Sequence, residues 1–129
     1  MTKLIIDATT EKIFFMILDR QNNYNISYEN SKSNYEKLVE LIINFLKSKD
    51  LDLSNISKIY VNRGPGSFAG IRNSLSIVKG IHLAKDIDYY CFSSSDFSEN
   101  DKKKLKNWKE LPNLCRKYKI KKNLINPIY

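Results

Sequence analysis

Between Ile59 and Ile81 the chain reads IYVNRGPGSFAGIRNSLSIVKGI, a short β-type run, a glycine-proline-glycine turn, a serine, and then a helix rich in small residues. A backbone that passes from strand to helix this tightly needs positions without a Cβ. Gly64 and Gly66 supply them, while Pro65 pre-sets one φ angle. Ser67 is placed to cap the helix, because its hydroxyl can accept one of the orphan amides of the turn beginning at Phe68.

Three chemistries compete for such a turn. Gly64-x-Gly66-x-x-Ala69 fits a dinucleotide fingerprint loosely, since the third position tolerates alanine and a helix N-terminus can hold a pyrophosphate. That fingerprint wants an acidic residue at the end of the next strand, whereas Asp88 falls at its start. A Walker-type phosphate loop fails, because no Gly-Lys-Ser/Thr follows the turn. The third reading is a tight connection that holds no ligand.

Period and punctuation give the surrounding elements. Lys3–Asp7 and Lys12–Leu18 read as apolar strands around the Ala8-Thr9-Thr10-Glu11 bend, and Tyr24–Tyr28 alternates as a third after a turn at Gln21-Asn22-Asn23. From Ser33 to Lys49 apolar residues recur at three and four, which predicts one helix with Ser33 as N-cap and Glu36 completing a capping box. Lys58–Asn62, Phe68–Ala84 and Tyr89–Phe92 follow as strand, helix and strand. The order βββαβαβ belongs to one lobe of an actin-like fold and departs from strict Rossmann alternation.

The two helices carry more apolar or small surface than one sheet requires. Tyr35, Leu38, Val39, Leu41, Ile42, Ile43, Phe45 and Leu46 span an arc of about 200°, roughly twice the usual buried stripe. On the second helix Gly70, Ser74, Ile77, Ile81 and Ala84 lie along one side, with Ser76 and Gly80 beside them. Glycine within a helix costs about 1 kcal/mol relative to alanine, so such a face suits close approach by another helix. That neighbour is either the lobe itself or a partner.

Arg63-Gly64-Pro65-Gly66-Ser67-Phe68-Ala69-Gly70-Ile71-Arg72 resembles the signature of the bacterial TsaB (YeaZ-type) family, RGPGSFTG followed by a hydrophobic residue and arginine. Leu4-Ile5-Ile6-Asp7-Ala8-Thr9-Thr10-Glu11 resembles that family's first strand and bend, and the similarity runs from residue 3 to residue 97. Ala69 stands where threonine is usual, Asn34 where a histidine often opens the first helix, and Ser74 and Ser76 where glycines are common.

The resemblance implies an α/β chain formed as a single actin-like, ribonuclease H-like lobe over 1–97, followed by a short, helical, basic tail over 98–129 in place of the second lobe. It implies an accessory, non-catalytic role in making threonylcarbamoyladenosine at adenosine 37 of tRNAs that read ANN codons. The partner would be a TsaD-like catalytic subunit, joined by a TsaE-like ATPase. ATP and magnesium would sit in those subunits and no cofactor in this chain alone. Leu38, Leu41, Ile42, Phe45, Gly70, Ser74, Ile77 and Ile81 become the expected partner interface, or a homodimer interface when the chain is alone. Asp7, Thr9 and Thr10 occupy the bend where actin-like enzymes hold metal and phosphate, here a vestige. The alternative is a small independent nucleotide-binding enzyme using Asp7 and the Gly64-Pro65-Gly66 turn.

Charge is placed unevenly: residues 1–97 hold 12 Lys and Arg against 11 Asp and Glu, whereas residues 98–129 hold 10 against 3. A basic tail can meet tRNA phosphates through counterion release, which makes Lys102, Lys103, Lys104, Lys121 and Lys122 candidate RNA contacts; a merely solvated lysine-rich face is the competing reading. Within the tail, Asp101–Lys109 reads as a short helix with Leu105 and Trp108 inward, interrupted by Pro112 and resuming from Leu114 to Ile120. No apolar run approaches the roughly 20 residues a bilayer crossing needs, so no membrane contact is expected. Cys91 and Cys115 have no close spacing, and a reduced cytoplasmic setting is the simplest account of them. His82 is the single histidine, so no zinc site can be assembled from histidines, and its place in mid-helix reads as an exposed or packed helix residue and not as part of a Ser-His-Asp triad.

Overall fold

A computed structural model describes residues 2–20 and 22–129. Five strands form one sheet in the order β3-β2-β1-β4-β5: β1 (Thr2–Asp7), β2 (Lys12–Asp19), β3 (Asn22–Glu29), β4 (Ile56–Asn62) and β5 (Asp88–Phe92). The first three make an antiparallel meander, while β4 and β5 add to β1 in parallel. Parallel addition requires crossovers, and helices supply them. The segments α1 (Lys32–Glu36) and α2 (Leu38–Lys47) lead to β4, and α3 (Phe68–Lys85) leads to β5.

The expected first helix is thus two. Ser31, not Ser33, is the N-cap: its side chain accepts from the Asn34 amide, and the Ser31 amide itself turns back to the Glu29 carbonyl at 3.0 Å. This turn leaves the sheet edge two residues earlier than the apolar period suggests. Lys37, at φ −107° and ψ 12°, separates α1 from α2, and the buried core side chains begin immediately after it with Leu38. The expected turn at 21–23 is also displaced. Asn22 and Asn23 pair with Asp19 and Leu18 inside the hairpin, and Gln21 lies outside the described residues.

Strand alternation sorts side chains onto two faces. On one, Leu4, Ile6, Phe15, Ile59, Val61 and Tyr89 pack beneath Leu38, Ile42 and Phe45 of α2 and Ile71, Leu75 and Val78 of α3. On the other, Ile5, Tyr60 and Phe92 are covered by the tail through Phe97, Leu111, Leu114 and Cys115. The tail builds this cover from α4 (Glu99–Lys102), two short 3₁₀ segments (Lys103–Lys106 and Trp108–Glu110) and α5 (Leu111–Lys117). Pro112 does not interrupt a helix as expected. It stands in the first turn of α5, where its missing amide would have had no partner in any case.

Beyond α5 the chain runs along the outer edge of β5. Tyr90 bridges Lys122, the Asn123 amide donates to the Tyr89 carbonyl at 2.8 Å, and the Asn123 side chain accepts from the Tyr89 amide at 3.0 Å.

Candidate functional site

The signature turn sits at the C-terminal end of β4, against the bend that links β1 to β2. Gly64 and Gly66 have φ of 111° and 156°, and the Gly64–Pro65 peptide is cis. Both glycines are also places of close approach. A Cβ at Gly64 would collide with the Ile128 carbonyl, one at Gly66 with the Thr9 carbonyl, and one at Gly70 with the Ala8 carbonyl. Ser67 caps α3 as expected, accepting from the Gly70 amide at 3.1 Å, and its own amide donates to the Thr9 carbonyl at 2.8 Å. The Tyr35 hydroxyl lies 3.2 Å from the Ser67 Oγ, which ties α1 to the same turn.

Asp7, Thr9 and Thr10 are brought to this point, but they are engaged with one another and with the backbone. Asp7 Oδ1 accepts from the Thr9 amide at 2.9 Å and the Thr9 hydroxyl at 2.6 Å, and its Oδ2 accepts from the Asn62 amide group at 3.2 Å. Asn62 Oδ1 in turn accepts from the Gly64 amide at 2.9 Å. Thr10 exchanges bonds of 3.3 Å with the backbone of Lys12. Asp7 and Thr9 are buried with their polar atoms paired within the chain, and the glycine turn is backed by Ile128 and Thr9.

Arg63 fastens the far side of the turn. Its guanidinium meets Asp96 at 2.6 Å with both side chains largely shielded, and also donates to the Asn126 carbonyl at 3.0 Å. Its backbone carbonyl accepts from the Ile128 amide at 2.7 Å. Sequence reading missed Asn62, Asp96, Asn126 and Ile128. Asn62 directly precedes the motif and was discoverable there, whereas the other three arrive from 33 or more residues away. Phe68 and Arg72 point outward, and the Phe68 ring lies 4.6 Å from that of Tyr129.

The eight residues expected to meet a partner divide. Leu38, Ile42, Phe45, Gly70, Ser74 and Ile81 are buried within this chain, because α2 and α3 pack on the sheet and on each other, and they are corrected to core positions. Leu41 and Ile77 are half-buried. What remains at least partly outside is a strip that keeps Ile77 of the expected set: Val39 and Ile43 on α2, with Ile77, Gly80 and Leu83 on α3. Leu83 is 73% exposed and a Cβ at Gly80 would meet nothing within 4 Å. A shallow groove runs between Tyr35, Val39, Ile43 and Ile77.

The tail lysines are partly neutralised. Lys102 pairs with Glu99, Lys104 with Asp101 and Lys122 with Asp88, while Lys103 and Lys121 are exposed. Cys91 and Cys115 are free thiols that burial pushes up to about 12. His82 Nδ1 lies 3.0 Å from the Ile87 carbonyl. Among the described residues no cluster of three or more His, Cys, Asp or Glu forms, and no helix is long and apolar enough to cross a membrane.

Comparison with known proteins places this geometry. The family model described as TsaD, tRNA N6-adenosine threonylcarbamoyltransferase, matches residues 27–114. The tRNA threonylcarbamoyladenosine biosynthesis protein TsaB of Buchnera aphidicola subsp. Baizongia pistaciae is 30% identical over 88 residues, which are 68% of this chain and 40% of that protein. YeaZ from Pseudomonas aeruginosa superposes with a TM-score of 0.66 at 24% identity, covering 71% of this chain and 43% of that one. Thermus thermophilus RuvC, solved with a Holliday junction substrate, superposes with a TM-score of 0.55 at 10% identity, covering 99% of this chain and 83% of that one. The two structural likenesses concern the fold. This chain therefore spans about two fifths of the length of the curated relatives it matches.

Proposed function

Because the chain belongs to the TsaB (YeaZ-type) family and itself matches the TsaD family model, we propose that it is a non-catalytic subunit in tRNA threonylcarbamoyladenosine biosynthesis, docking a TsaD-like catalytic subunit through α2 and α3. The observation that carries the docking is Gly80. Glycine inside a long helix costs about 1 kcal/mol relative to alanine, and nothing within this chain approaches the position. A helix of another chain that comes close to the backbone there gives the glycine a purpose, and Val39, Ile43, Ile77 and Leu83 supply apolar surface around it.

The absence of catalysis is supported by the pairing of Asp7 with Thr9 and Asn62. On this reading ATP and magnesium belong to the catalytic subunit and to a TsaE-like ATPase, and the chain works in the cytoplasm. Without its partner the same strip gives a homodimer.

The test is co-purification with a TsaD-like subunit, followed by threonylcarbamoyl transfer to tRNA with and without this chain. Binding and a gain in transfer are expected, and Gly80→Arg should abolish both without lowering the melting temperature, since a side chain there meets open space and improves helix propensity. Failure of the wild-type chain to bind or to stimulate would sink the reading, and tight magnesium-dependent ATP binding by the isolated chain would favour an independent enzyme instead.

A further inference from the structure

On the face covered by the tail, the strand register sets Lys3 of β1 opposite Lys58 of β4. Like charges at facing positions of neighbouring strands repel one another. Arg116 of α5 adds a third positive charge, and burial, then Lys58, then Arg116 hold the Lys3 ammonium below its usual range. Two concavities of about 500 and 270 Å³ meet at Pro112 and are lined by Lys3, Arg20 and Lys109 on one side and by Lys58, Arg116 and Lys119 on the other.

None of these six cations forms an ion pair among the described residues. Asp19 accepts from Thr2, Asp88 from Asn123 with Lys122 beside it, and Glu110 from Asn113. The Tyr60 and Tyr90 rings stack with centroids 5.2 Å apart at the floor of the smaller concavity, and Lys58 Nζ lies 5.9 Å from the Tyr90 centroid.

We propose that this groove beside α5 binds the phosphate backbone of RNA, with Tyr90 offering a ring for an unpaired base. An unneutralised row of cations along a groove fits a polyanion. An aromatic ring half-open in the same groove fits single-stranded RNA better than a lipid surface, since exposed apolar side chains for insertion lie elsewhere, at Val39, Phe68, Leu83, Leu124, Ile125 and Tyr129. The choice of tRNA as the RNA rests on the proposed function. The groove is distinct from the lysines at Lys102–Lys104 and from the helical strip that docks the catalytic subunit.

The experiment is fluorescence anisotropy of a labelled unmodified tRNA transcript titrated with the full chain across a salt series. The double substitution Lys58→Glu, Arg116→Glu should weaken binding at least tenfold and reduce the slope of log affinity on log salt by about 1.5, the loss of two phosphate contacts. The charge-matched pair Lys103→Glu, Lys121→Glu should change affinity less than threefold. Equal weakening by both pairs, or by neither, overturns the groove, as does binding of phosphatidylglycerol vesicles in place of the transcript.

Acetylation footprinting of the wild-type chain gives a readout that needs no variant. Bound transcript should protect Lys3, Lys58 and Lys119 while leaving Lys47 and Lys85 reactive, and uniform or absent protection overturns the assignment. The same variants are scored separately for co-purification with the catalytic subunit. Loss of tRNA with the partner retained supports the groove, whereas failure of the wild-type chain to hold the partner while tRNA binding responds as described removes the subunit reading and leaves the groove.

Discussion

Replacing Gly66 by alanine forces a Cβ toward the Thr9 carbonyl at a φ of 156°, where L side chains rarely sit. Gly66→Ala should lower the unfolding free energy by more than about 2 kcal/mol in urea titration. Gly80→Ala should raise it by about 0.5–1 kcal/mol, because helix propensity improves and the added methyl meets open space. Both glycines are visible in the sequence, yet their opposite behaviour is not, since it depends on whether a distant carbonyl stands at the position. Asp101 makes a similar point. It sits in a lysine-rich stretch, and the Lys117 ammonium at 2.8 Å, the Tyr118 hydroxyl at 2.7 Å and the Lys104 ammonium at 3.2 Å hold its carboxyl well below the usual range. A carboxyl depressed on folding stabilises the native state above its unfolded pKa of about 4 and loses that effect as pH falls through the acid range. Asp101→Asn should melt at a lower temperature than wild type at pH 7, and the difference should shrink toward pH 2 in a series of thermal melts.

Among the elements, all five strands were legible because alternation and apolar runs are carried by neighbouring residues, and their ends shifted by no more than two positions. The helix before β4 was legible as helix but not as α1 plus α2, because apolar spacing continues through Lys37 while the capping chemistry is local. Ser31→Ala should therefore cost about 0.5–2 kcal/mol in thermal or urea unfolding, with Ser33→Ala close to neutral, since Ser33 is exposed and not the cap. The tail was the least legible element. Its helical pieces run for seven residues or fewer, too short for a full amphipathic period, and the lysines between them read as solvated surface. Its buried side chains nevertheless close one face of the sheet, so Leu114→Ala should destabilise by about 2–5 kcal/mol, measured by urea unfolding.

At the scale of the whole molecule the sheet separates two cores that are unlike in how they are made. Cys91 belongs to the one under α2 and α3 and Cys115 to the one under the tail, and both thiols are held near 12 by burial. Neither should react with iodoacetamide at pH 8 in the folded protein at a rate above that of opening. Cys115 should label faster than Cys91, because it sits on α5, which contributes no strand to the sheet, whereas Cys91 lies within β5; equal rates would mean that both cores open in one step. The same arrangement has a consequence for biogenesis. Ile5, Tyr60 and Phe92 are translated well before the residues that shelter them, Leu111, Leu114 and Cys115. While the ribosome is still reading the last part of this span, one side of the nascent sheet is greasy and bare, an opening for chaperones or for aggregation until α5 emerges.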